Sequence, residues 1–243
     1  MIVSSKLLAV VAAFILSAAF LVTLQAQSKT NVRTPDTTNA SAASVDENKQ
    51  PLDRATYSYE FTQPEFLIRH IVVKHDALGR GKVMFERKGE EAAIEEPVEL
   101  STAALTRVLG AWADLRFLES TEDYQAEKQF PHLGTMRLKM QRDSRERTAE
   151  FNWTKNKAAG LLADEYRRLG DQAILIFDIA VARESQPLNA PKLMEEFETQ
   201  LKRNGFSDPS QMVPLLEDIS TDEHLPLIAR NHALRLLKKI NKK

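Results

Sequence analysis

Five histidines, a run of carboxylates and two basic clusters carry the chemistry available to this 243-residue chain. His70 and His75 lie in one strand-like stretch, Phe66 to His75, but on opposite parities, so they cannot approach a metal from a common face. His70 shares parity with Phe66, Ile68 and Val72 and reads as a satisfied core histidine. His224 and His232 fall on the last helical stretch too far apart for the i, i+4 chelation of zinc helices, and with Asp222 they would make only a weak site. His132 follows Pro131 in a polar loop. The carboxylates from Glu90 to Glu99 could supply an acid and a base, yet alternation puts Glu95 and Glu99 on a solvent face. No Gly-x-Ser-x-Gly elbow, phosphate loop, dinucleotide fingerprint or His-Glu-x-x-His occurs. No catalytic residue, cofactor or metal is therefore assigned.

The basic residues form the candidate interaction surface. Arg137 and Lys139 project from one face of a hairpin, with Arg142, Arg145 and Arg147 close by and Asp143, Glu146 and Glu150 diluting them. Beyond Glu223 every charged side chain is basic, including Arg230, Arg235, Lys238 and Lys239. Such a tail suits an acidic partner or anionic headgroups. The net charge of -1 gives no global case for nucleic acid. With Cys 0, disulfides, thiol catalysis and cysteine zinc sites are excluded.

The elements that must position these groups follow from composition and period. Lys6 precedes an apolar run from Leu7 to Leu24, and the polar residues that follow complete an export pattern. Residues 1–26 are a signal peptide cleaved after Ala26, or an uncleaved hydrophobic helix anchoring the chain in a membrane; either places the rest outside the cytoplasm. Residues 27–55, without an aromatic, read as a disordered linker.

From residue 56 to 185 the pattern predicts an α+β domain. Strands are expected at Tyr57–Phe61, at Phe66–His75 with both faces covered, around Val83 and Phe85, and at Ile94–Leu100. Pro97 puts that last strand at an edge. Ser101 is a candidate cap, with Leu100 and Leu105 as a staple, for a helix reaching Leu115. A hairpin turns near Asp143-Ser144 and alternates out to Trp153. A long helix from about Lys157 to Arg183 would bury Leu161, Leu162, Leu169, Ile176 and Phe177, with a kink or break at Gly170. The expectation is an antiparallel sheet of about six strands with two helices mainly on one face. A small helical segment, 186–243, follows, with helices at Lys192–Arg203, Pro209–Ile219 and Glu223–Ile240.

Residues 225–240, LPLIARNHALRLLKKI, resemble a single HEAT-like helix. The stretch 66–183 resembles a family of bacterial extracytoplasmic domains of unknown function. The likeness lies in the strand run, the helix ending in Leu115-Arg116-Phe117-Leu118, the loop at Tyr124 and the hairpin; that family's cysteine-bearing strand is absent. The resemblance implies an extracytoplasmic location and carries no catalytic residue over. The leading expectation is an exported, non-enzymatic interaction or scaffold module with a protein partner. The alternatives are an extracytoplasmic hydrolase, which needs converging titratable groups in a pocket, and an apolar-ligand carrier, which needs a cavity lined by Phe, Met and Leu.

Overall fold

The computed structural model describes residues 54–242. The expected signal or anchor helix and the linker lie outside the described residues, and among those described no helix is long and apolar enough to cross a membrane. The fold is α+β: β1 (Thr56–Thr62), β2 (Ile68–Asp76), β3 (Arg80–Arg87), β4 (Ile94–Glu99), α1 (Thr102–Leu115), β5 (Thr135–Arg142), β6 (Arg145–Phe151), α2 (Lys157–Ser185), α3 (Ala190–Lys202), α4 (Val213–Thr221) and α5 (Leu227–Ile240). All six strands pair antiparallel in the order β4-β3-β2-β1-β5-β6.

Local chemistry sets the boundaries. The Ser101 side chain accepts the Ala104 amide at 3.2 Å and starts α1. Asn156 does the same for α2, accepting from Ala159 at 3.1 Å. Asp143, at φ 54, supplies the left-handed residue that a two-residue hairpin between β5 and β6 requires. Pro226 delays α5 to Leu227, later than the expected Glu223, because its ring fixes the chain just outside the helix.

One sheet face is covered and the other is open. Tyr59, Val73, Val83, Phe85 and Leu138 are almost fully buried beneath α1 and α2. Each such side chain contributes roughly 1.5–3 kcal/mol through burial. The opposite face carries Glu60, His70, Lys74, Lys82, Glu86, Arg137 and Glu150. The expectation that β2 is covered on both sides is therefore corrected. A register shift between Ile68 and His70 lets Ile68 pack with Ile71 and Val73 on the core side, and turns His70 outward.

Two features of α2 also differ from expectation. The helix runs unbroken through Gly170, whose role is closeness: a Cβ there would lie 3.3 Å from the Cγ2 of Ile71. Leu161 and Ile176 are exposed rather than buried, because the sheet and α3 cover a narrower stripe than the count of apolar residues suggests. Residues Ala159 to Ile174 of α2 serve the sheet core, while Leu175 and Ile179 join Met194, Phe197, Leu216 and Leu236 in a second, all-helical core.

Candidate interaction surface

His75, not His70, is the core histidine. Its Nδ1–H donates to the Asp76 carbonyl at 2.7 Å, and its Nε2 accepts from the Tyr166 hydroxyl at 2.8 Å. That hydroxyl accepts in turn from the Trp112 indole N–H at 2.9 Å, and Tyr57 stacks on the imidazole at 5.2 Å. Burial lowers the His75 pKa and raises that of Tyr166, so both are neutral. All four rings are buried, each polar atom named here has a partner, and the group holds α1, α2 and β2 together. It has the residue types of an acid–base relay without access for a substrate.

The other expected groups separate in space. His70 sits on the open face between Glu60 at 3.0 Å and Glu86 at 3.1 Å. His224 turns to Asp222, whereas His232 is buried against Glu198 of α3 at 3.1 Å. His132 lies exposed in a short helical turn, Pro131–Leu133. Among the described residues no three His, Asp or Glu side chains are arranged to hold a metal ion. Glu95 pairs with Lys82 at 2.8 Å, leaving Glu96 on the helix side of β4 beside a cleft of about 170 Å³ over Leu169, Ala173 and Ile176. A second cleft of about 510 Å³ lies between β3, α2 and α3, with the Arg87–Asp178 ion pair in its wall. Of the Phe, Met and Leu set of the sheet core, Leu169 lines the first cleft and Phe177 the second, while the rest pack away from both.

Both sheet edges are obstructed. Beside β6, the residues after α1 fold over the edge. Arg147 stacks on Phe117 at 4.6 Å and Tyr124 at 5.1 Å, and donates to the carbonyls of Phe117 and Glu122. On β4 the Glu99 carbonyl faces outward and accepts from the Gln211 side chain at 2.9 Å. Pro97 has the same parity, so the donor it lacks is missing from the free edge. Proline flanked by Glu95 and Glu99 blunts that edge against strand addition.

The two basic clusters differ in what they have left to offer. Arg137 is held by Glu60 and Glu150, each at 2.9 Å, and Lys139 by Glu146 at 2.9 Å. These cross-strand pairs form part of an alternating charge row over the open face. On α5, Lys239 is taken by Glu198, which also holds His232 and Lys202; these hydrogen bonds lower the Glu198 pKa to about 2. Arg230, Arg235 and Lys238 have no ion pair with a described residue. Arg235 reaches only the Asn231 carbonyl of its own helix, and the Nε of Arg230 is buried without an acceptor.

These cations share a surface with aliphatic side chains that sequence reasoning did not separate from the buried ones: Leu227 and Leu234 were grouped with Ala229 and Leu236. At about 100° per residue, Leu227, Ile228, Asn231, Leu234, Arg235 and Lys238 fall on one side of α5, with Arg230 beside them. Ala229, His232, Ala233 and Leu236 fall on the other and fill the helical core. Leu227, Ile228 and Leu234 are 60%, 70% and 44% exposed. The signal was present in the sequence as a second apolar stripe on a helix that already had one. No protein-family model matches the chain, and no curated protein matches it.

Proposed function

We propose that this chain is an exported, envelope-associated interaction module without catalytic activity, and that the outer face of α5 docks an acidic amphipathic helix of a partner protein. The observation that carries the reading is the coincidence on one helix face of three exposed aliphatics with basic side chains that have no ion pair among the described residues. No Asp or Glu occurs from His224 to Lys243, so α5 itself carries only basic charged side chains. A partner helix bearing leucines at i, i+3/i+4 and i+7 with flanking carboxylates is complementary in both respects. The basic residues steer and orient such a partner, and the aliphatics supply affinity. The hairpin cations, neutralised by their neighbours, fit such a role less well.

The test uses the full-length chain and two synthetic helical peptides with identical leucines, one flanked by Glu and the other by Lys. The acidic peptide is expected to bind at least about tenfold more tightly, a difference of ~1.4 kcal/mol. That preference should shrink as salt is raised. Leu234→Asp, at an exposed position, should remove binding while leaving the thermal midpoint unchanged. Equal affinities for the two peptides, or binding that survives Leu234→Asp, would sink the reading.

A further inference from the structure

A second exposed apolar surface lies at the far end of the sheet, where three loops meet. The β1–β2 loop brings Phe66 and Leu67, the segment before β5 brings Leu133, and the residues after β6 bring Trp153. All four are exposed, Leu67 by 70% and Trp153 by 47%. They belong to one contiguous rim. The Gln63 amide donates to the carbonyls of Pro131 at 3.1 Å and His132 at 2.9 Å, stapling the first two loops. Phe66 packs on Phe61 at 6.1 Å, and Phe130 meets Trp153 edge-on at 5.5 Å. Lys128 lies 4.8 Å over the Phe130 ring, and Lys155 stands exposed two positions beyond Trp153.

We propose that this rim is a membrane-contact surface that seats Trp153, Phe66, Leu67 and Leu133 in the interfacial layer of a bilayer. The inference rests on the reading of residues 1–55 as export signal or anchor plus tether. Apolar and aromatic tips flanked by Lys128 and Lys155, with Glu65 beside Phe66 tied to Lys88 at 2.9 Å, match the boundary between headgroups and acyl chains, where tryptophan concentrates and lysines meet anionic lipid.

The described chain enters β1 at the end away from this rim. A chain already held on a bilayer has a high local concentration there, which makes a weak patch sufficient.

The two tryptophans make the test direct, because Trp112 is buried and Trp153 is exposed. The full-length chain is reconstituted with vesicles of phosphatidylcholine and phosphatidylglycerol. The emission of Trp153 is isolated by difference from the Trp153→Phe variant. The proposal expects a blue shift and quenching by brominated lipid, both lost in a Phe66→Ser, Leu67→Ser variant that stays with the vesicles. A chain that stays with the vesicles while Trp153 emits as in water, unquenched, overturns the rim and leaves the tether standing. A chain that does not stay with them overturns both. A shift seen only after envelope proteins are added points to a protein on the rim and overturns the bilayer assignment.

Discussion

Replacing Tyr166 by Phe removes one oxygen and leaves two buried groups without partners. The hydroxyl donates to His75 and accepts from Trp112, and all three residues are almost wholly shielded from water. Each orphaned group costs about 1–3 kcal/mol, so the variant should lose roughly 2–6 kcal/mol. Urea unfolding followed by tryptophan emission reads this as a fall in midpoint of about 1–3 M at a slope near 2 kcal/mol/M. The same centre sets a pH dependence. Burial lowers the folded pKa of His75 below its unfolded value of about 6.5. The unfolded chain therefore binds the proton first as pH falls. This contribution is fully present above about pH 6.5 and declines as pH drops from there toward the folded pKa. A loss below about 0.5 kcal/mol on Tyr166→Phe would refute the claim that this hydroxyl joins the two groups.

Two further perturbations test neighbouring parts of the account. Gly134 has φ +90, and a Cβ there would come within 2.6 Å of the Phe61 ring and 2.9 Å of the Thr62 carbonyl. Gly134→Ala should cost about 2 kcal/mol or more in urea unfolding and should expose Gln63, whose staple depends on the path of that loop. Glu198→Ala frees α5 from α3 at one corner, with an expected loss of about 1 kcal/mol and faster amide exchange at the end of α5. In the parent protein the Glu198 pKa is lowered to about 2. Its contribution is present above the unfolded carboxylate value of about 4.3 and is lost as pH falls from there through about 2.

Most of the fold was legible because its signals are local. Alternation at Tyr57, Tyr59 and Phe61, the Ser101 cap and the Asp143-Ser144 turn each act within a few residues of themselves. What escaped depends on long-range geometry. One shift of register between Ile68 and His70 exchanged the expected places of His70 and His75, since a single-residue slip moves a side chain to the other face. The neutralisation of Arg137 and Lys139 follows from β1–β5 and β5–β6 register, which no single segment encodes. Gly170 carried the sign of a break but serves close packing against Ile71. Charge singled out Arg230, Arg235 and Lys238, and only the helical projection of α5 joined them to Leu227, Ile228 and Leu234. Trp153 was counted as a continuation of β6, yet the strand ends at Phe151 and the indole projects at the rim.

The central claim is that α5 docks a partner, and site-specific photo-cross-linking in the native envelope tests it most directly. A photoreactive residue at Asn231, in the middle of the exposed face, is compared with one at Glu184, exposed near the end of α2. The account predicts a single protein adduct from position 231, none from 184, mapping to an acidic leucine-bearing helix and lost when Ile228→Asp and Leu234→Asp are added. Adducts to lipid alone, equal adducts from both positions, or an adduct unchanged by the two aspartates would contradict it.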